Sequence, residues 1–91
     1  MVTFQKGETV ILLLTVYIDD VKTDPDSAKV TIRDPDGIIV VDGESMTKVE
    51  LGEYSYDYTI PLDAKTGYFI VSYAATSGVR TTIVTDKFYV E

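Results

Sequence analysis

The sequence predicts an all-β fold, and two observations carry that prediction. Apolar and polar residues alternate with a period of two along most of the chain, as they do in strands that bury one face and expose the other. Clusters of Gly, Pro and Asp interrupt the alternation, at intervals near the roughly 8 to 12 residues that separate turns in a β-sandwich. No window of the sequence has the apolar spacing of a helix.

Seven segments fit the strand pattern, and two of them show it most clearly. Thr9 to Ile18 has an unbroken apolar face on its even positions, and Ala28 to Arg33 alternates between apolar and polar residues. The others are, in order, Ile38 to Val41, Thr47 to Leu51, Tyr54 to Ile60, a strand around Tyr68 to Ala74, and Val79 to Glu91. About seven short strands favour an immunoglobulin-like Greek-key sandwich of two antiparallel sheets, and a closed small barrel is the alternative.

Two alternating sets of side chains are predicted to face the core. They are Tyr54, Tyr56, Tyr58 and Ile60 in one strand, and Phe69, Val71 and Tyr73 in a later one. Because the tyrosines repeat at the period of a strand, we interpret them as core lining whose hydroxyl groups reach the rim, with a binding stripe as the alternative.

Length and charge limit the domain organisation and the partners. The chain has 91 residues and 45% apolar content, which suffices for one hydrophobic core, so we expect a single domain over residues 1–91. A formal net charge of -7 has the wrong sign for neutralising the phosphates of nucleic acid or an anionic membrane surface. The longest apolar run, Val10 to Leu14, is far shorter than the roughly 20 residues that span a bilayer, so we expect no membrane insertion.

The residue inventory argues against catalysis. The chain has no cysteine and no histidine, which excludes serine or cysteine triads that use histidine and zinc sites built from thiolates or imidazoles. Its six glycines are scattered singly at turns, so there is no phosphate-binding loop. We therefore expect a protein that is not an enzyme and holds no cofactor, with calcium as the one ion that the residues allow.

The triplet Asp-Pro-Asp occurs twice, and the two copies are interpreted differently. In Asp34 to Gly37 the aspartate can accept backbone hydrogen bonds, proline presets φ and glycine takes a positive φ, which predicts a hairpin turn. An EF-hand does not fit, since position 12 counted from Asp34 is Ser45. The second copy lies in a longer acidic loop with serine in place of glycine. Its weak candidate calcium ligands are Asp19, Asp20, Asp24 and Asp26.

Several turns and strand ends also resemble those of a known family. The stretches are GETV at Gly7, VTIRDPDG at Val30, GEY at Gly52, PLDAKTGYF at Pro61 and FYV at Phe88. They resemble the macroglobulin-type β-sandwich domains of α-macroglobulins and complement proteins, and also immunoglobulin-like modules of prokaryotic surface proteins and virus structural proteins. The resemblance implies a spacer or docking domain at a cell surface, outside the cell or in a virion, and it supplies no active-site residue.

Two of the predicted strands are apolar on the face that a sandwich turns toward water. The residues concerned are Ile11, Leu13, Tyr17, Tyr68 and Ile70. Cover by a loop would explain them, and so would an interaction face for a neighbouring domain or a second copy of the chain. The function predicted is thus a structural, protein-interacting module of a larger assembly, and a calcium-dependent or carbohydrate-binding module is the alternative.

Overall fold

A computed structural model describes residues 3–91, which form ten strands. The strands are β1 (Thr3–Phe4), β2 (Thr9–Thr15), β3 (Tyr17–Ile18), β4 (Val21–Lys22), β5 (Ser27–Arg33), β6 (Ile39–Ser45), β7 (Thr47–Glu50), β8 (Glu53–Thr59), β9 (Gly67–Ser77) and β10 (Arg80–Val90). Seven of these have at least four residues and correspond to the seven predicted segments, so the all-β prediction is confirmed. Over this range no helix is both long and apolar enough to cross a membrane.

The strands form three open sheets. The largest has the order β1-β10-β9-β5-β6, the second β2-β8-β7, and β3 pairs only with β4. Every ladder is antiparallel except that of β1, which runs parallel to the end of β10. Three open sheets replace the two that the sequence predicts, and this arrangement is compatible with a β-sandwich.

One hydrophobic core receives side chains from both larger sheets. The inward residues of β2, β5 and β9 alternate with exposed ones, as the period of a strand requires. Tyr58 and Ile60 are buried in this core, while Tyr54 and Tyr56 are partly buried against it. Phe69, Val71 and Tyr73 are also buried. Both predicted core-facing sets are therefore confirmed.

The first strand ends earlier than predicted. The ladder between β2 and β8 stops where Thr15 meets Glu53, and Val16 then donates its N–H to the carbonyl of Gly52 at 2.7 Å. Because β8 offers no further partner, the chain leaves the sheet, and Tyr17 and Ile18 pair with β4 instead. The prediction of one strand from Thr9 to Ile18 is wrong for this reason.

The Asp34 turn joins β5 to β6 as predicted. One carboxylate oxygen of Asp34 accepts hydrogen bonds from the N–H groups of Asp36 and Ile38, both at 2.9 Å. Gly37 has a φ of 83° and donates its N–H to the carbonyl of Asp34 at 2.9 Å. Both carboxylate contacts are intramolecular backbone caps, so the turn prediction is confirmed.

Gly52 lies where three segments meet, and we expect its replacement to be costly. It has a φ of 72°, and a Cβ there would lie 3.0 Å from the backbone nitrogen of Thr23 and 3.1 Å from the carbonyl oxygen of Val16. Gly78 is the matched control, since its φ is 60° but a Cβ would meet nothing within 4 Å. Gly78→Ala should cost only the left-handed backbone penalty of about 1–2 kcal/mol, and Gly52→Ala about 1–3 kcal/mol more because of overpacking. Equal losses in urea unfolding would contradict the crowding argument.

Candidate interaction surface

The edges of the open sheets differ in how well they are protected against pairing with another chain. β6 carries Asp42, Glu44 and a register irregularity, and β7 carries Lys48 and Glu50 with another irregularity. Charges and bulges of this kind discourage strand addition. β2 has the sequence TVILLLT, with no charge. Among residues 3–91 it pairs only with β8, so it presents an unprotected edge.

Two large side chains on β2 face outward. Ile11 is 63% exposed and Leu13 is 68% exposed, and they lie opposite Asp57 and Ser55 of β8. The intervening residues of β2 are buried in the core. This strand is therefore apolar on both faces, and its outward face is uncovered by any part of the chain that the structure describes.

The five residues of the predicted interaction face do not form one patch. Ile11 and Leu13 lie on the outward face of the three-stranded sheet, and Tyr17, exposed by 60%, lies on the β3–β4 hairpin. Tyr68 and Ile70 lie on β9 of the five-stranded sheet, on the face opposite Phe69 and the core. Since both sheets turn their inner faces to the same core, their outward faces point away from each other.

Tyr68 takes part in a small cluster on its own face. Its ring packs edge-on against Tyr89 with the centroids 5.0 Å apart, and the Nζ of Lys87 lies 4.7 Å from the ring centroid. Such contacts between a cation and an aromatic ring are each worth roughly 0.5–1 kcal/mol at an exposed site. The exposure of Tyr68 is thus partly offset by contacts with the neighbouring strand.

A groove of about 260 Å³ separates the end of β2 from the β9–β10 hairpin. Its walls include Leu14 and Tyr17 on one side, and Tyr73, Thr82 and Val84 on the other. Burial, with a smaller effect of the Asp86 carboxylate, raises the pKa of Tyr73 to about 12. The groove is an uncovered, mainly apolar part of the space between the sheets.

Asp24 joins the acidic loop to the turn between β7 and β8. Its carboxylate accepts hydrogen bonds from Lys48 Nζ at 2.5 Å, from the N–H of Gly52 at 2.8 Å and from the hydroxyl of Tyr54 at 3.3 Å. The hydrogen bond from Lys48 and then that from Gly52 hold the pKa of this carboxyl below its usual value of 3.8. This predicted calcium candidate is therefore surrounded by donors of the protein itself.

The other three predicted calcium ligands do not form a cluster with Asp24. Asp26 accepts a hydrogen bond from the N–H of Gly78 at 2.7 Å, which ties the loop to the β9–β10 turn. Asp19 and Asp20, with φ values of 52° and 63°, form the two-residue turn between β3 and β4, as Asp does readily. Within residues 3–91 no three acidic side chains come together as a metal site.

Several residues of this surface give no signal in the sequence. The contacts of Asp24 with Lys48 and Gly52 and of Asp26 with Gly78 join positions far apart in the chain. The residues of β10 that line the groove lie in a segment whose sequence shows only the alternation of a strand. Only the strand pairing brings these groups together, so inspection of local sequence does not find them.

Comparisons with known proteins add no relative. The chain matches no protein-family model, no curated protein and no solved structure.

We expect Asp24→Asn to destabilise the protein at neutral pH and to matter less in acid. A carboxyl with a lowered folded-state pKa contributes stability that is complete above its unfolded-state pKa and is lost as pH falls through the folded-state value. In thermal melts, the difference in melting temperature between the wild type and Asp24→Asn should be smaller at pH 3 than at pH 7. Asp63→Asn makes the same change in charge at an exposed site and serves as the control. If the loss of melting temperature in Asp24→Asn is the same at both pH values, this account is wrong.

We expect millimolar calcium to leave the melting temperature unchanged, because the Asp24 and Asp26 carboxylates already accept hydrogen bonds from the protein. A ligand that binds only the folded state must raise the melting temperature. Thermal melts with calcium and with a chelator make the comparison. A rise that Asp19→Asn abolishes would instead establish the calcium site in the acidic loop.

Proposed function

We propose that this protein is a non-enzymatic, immunoglobulin-like interaction module, in which β2 provides the contact surface for a neighbouring protein domain. One observation carries the proposal: β2 is an uncharged strand at an open sheet edge, with Ile11 and Leu13 exposed on its outward face. An uncovered apolar strand at an edge is costly for a protein to keep unless it is used.

The order of the strands supports the immunoglobulin-like assignment. In that fold one sheet has the order A-B-E-D and the other contains G-F-C, with C′ added in the variable type. Taking β2 as strand B, the order β2-β8-β7 corresponds to B-E-D, and β10-β9-β5-β6 corresponds to G-F-C-C′. β1 lies beside β10 instead of beside β2. Within residues 3–91 this difference leaves the edge of β2 open.

Two modes of contact suit such a surface. An extended segment of a partner can add to the edge of β2 through backbone hydrogen bonds, and an apolar patch can cover Ile11 and Leu13. Both modes bury apolar area, at roughly 25 cal/mol per Å², and neither requires a charged partner. A domain within a larger surface or virion assembly, as the sequence resemblance suggests, would meet its neighbour in this way.

Leu13→Glu should abolish contact through β2 without unfolding the protein. Leu13 is 68% exposed, so a carboxylate is tolerated in the free protein but would be desolvated in the contact. We expect the variant to bind a neighbouring protein domain at least about tenfold more weakly, as measured by sedimentation of the mixture.

Leu62→Glu is the matched control, because it makes the same change at a leucine that is 82% exposed and lies outside β2. Association should survive in this variant. If Leu13→Glu lowers the melting temperature and leaves association intact, Leu13 serves stability and the β2 proposal is wrong.

A further inference from the structure

The edge of β10 is free along most of its length. β1 pairs with Tyr89 and Val90 alone, whereas β9 pairs with the whole strand on the opposite side. In the described part of the chain, Arg80 to Lys87 therefore have one neighbouring strand instead of two. Ile83, at the centre of this free edge, is 68% exposed. The edge carries the charged residues Arg80, Asp86 and Lys87, but it has neither a proline nor a register irregularity, two other features that block strand addition.

The charges on this edge are placed for antiparallel pairing of the strand with itself. With Ile83 opposite Ile83 of another copy, each Arg80 lies opposite an Asp86, since both are three residues from the centre. The register therefore forms two cross-strand pairs of opposite charge. Thr81 meets Thr85, and Thr82 meets Val84, which are side chains that suit cross-strand pairing.

A register shifted by one residue is much less suitable. A shift in either direction turns the core face of one sheet to the outward side of the other, and a shift in one of the two directions also places Arg80 opposite Lys87 of the other copy. Like charges directly opposite each other on paired strands are destabilising. The charges thus favour the register centred on Ile83.

Arg80 and Asp86 make few interactions within the part of the chain that the structure describes. Both are exposed, and within residues 3–91 neither forms an ion pair. Among residues 3–91, the Asp86 carboxylate accepts only a local hydrogen bond, from the N–H of Lys87 at 2.8 Å. The edge from Arg80 to Lys87 contains two basic residues and one acidic residue, although the whole chain carries -7. Repulsion between two acidic copies is therefore weaker here than elsewhere on the surface.

We propose that a second copy of this chain pairs with β10 in antiparallel fashion across a two-fold axis at Ile83, with Arg80 of each copy opposite Asp86 of the other. The pairing joins two five-stranded sheets into one continuous sheet. This inference rests on the proposed role as an interaction module and assigns a partner to a surface other than β2. The dimer is weak, because one paired strand covers less area than a standard interface of about 1,200–2,000 Å².

Charge reversal tests the register. Arg80→Glu and Asp86→Arg each place like charges opposite each other twice in the dimer, so we expect each to raise the dissociation constant by about tenfold or more. The double variant Arg80→Glu/Asp86→Arg restores both pairs and should recover dimerisation. Lys29→Glu is the control, since this exposed residue of β5 gives the same change in net charge as Arg80→Glu. Sedimentation at physiological ionic strength makes the measurements, and circular dichroism verifies folding.

Cross-linking provides a second test, which can detect even a weak dimer. The protein has no cysteine, so Ile83→Cys introduces a single thiol on the two-fold axis, where opposite Cβ atoms lie roughly 4.5–5.5 Å apart. A short bis-maleimide should link two copies of this variant. Thr81→Cys places an exposed thiol four residues along the strand from its symmetry mate in the paired register, so it should link poorly.

A wild-type protein that is monomeric throughout, with equal cross-linking of both cysteine variants, overturns the inference. So does a dimer that Arg80→Glu leaves unchanged. Dimerisation lost in Leu13→Glu but retained in Arg80→Glu would place self-association on β2, which supports the proposed function and rejects pairing through β10. The reverse result supports pairing through β10 and leaves β2 to be tested with a different partner.

Discussion

The packing of Tyr58 against Phe69 and Phe88 joins the two larger sheets, and the remainder of the fold depends on it. Phe69 and Phe88 lie opposite each other on β9 and β10, with nearly parallel rings whose centroids are 5.3 Å apart. Tyr58 comes from the other sheet and packs against both rings, with its ring centroid 6.4 Å from each of theirs. No ladder joins these two sheets along residues 3–91, so they are held together by buried side chains and by loops such as the one that carries Asp24 and Asp26.

Outside the core, aspartate carboxylates accept hydrogen bonds from backbone N–H groups of the turns. Asp34 caps its own turn, while Asp24 and Asp26 fasten the loop before β5 to two distant turns. Buried or partly buried N–H groups at turns need acceptors, and carboxylates are strong ones. The acidic composition that first suggests an ion site is thus partly explained by loops that carry their own hydrogen-bond acceptors.

Alternation along the sequence sufficed to predict the core, because the period of a strand fixes which side chains share a face. Tyr58 and Phe69 needed no knowledge of their neighbours to be placed inward. The end of β2 was predicted wrongly, because it depends on where β8 begins, which is a property of the partner strand. The same limit applies to Asp24, whose partners lie in another part of the chain, and to the predicted interaction face, whose members prove to lie on different sheets.

The two free edges differ in what they can specify. β2 offers apolar area without charge, so many registers and partners would be nearly equivalent there, and a covering domain must supply the selectivity. β10 also exposes apolar side chains, Ile83 and Val84, but Arg80 and Asp86 make one register better than its neighbours. Specificity in strand pairing arises from such differences between the right and the wrong alignment, more than from the total area buried. A module with both edges can therefore bind a neighbour through one and recognise its own kind through the other.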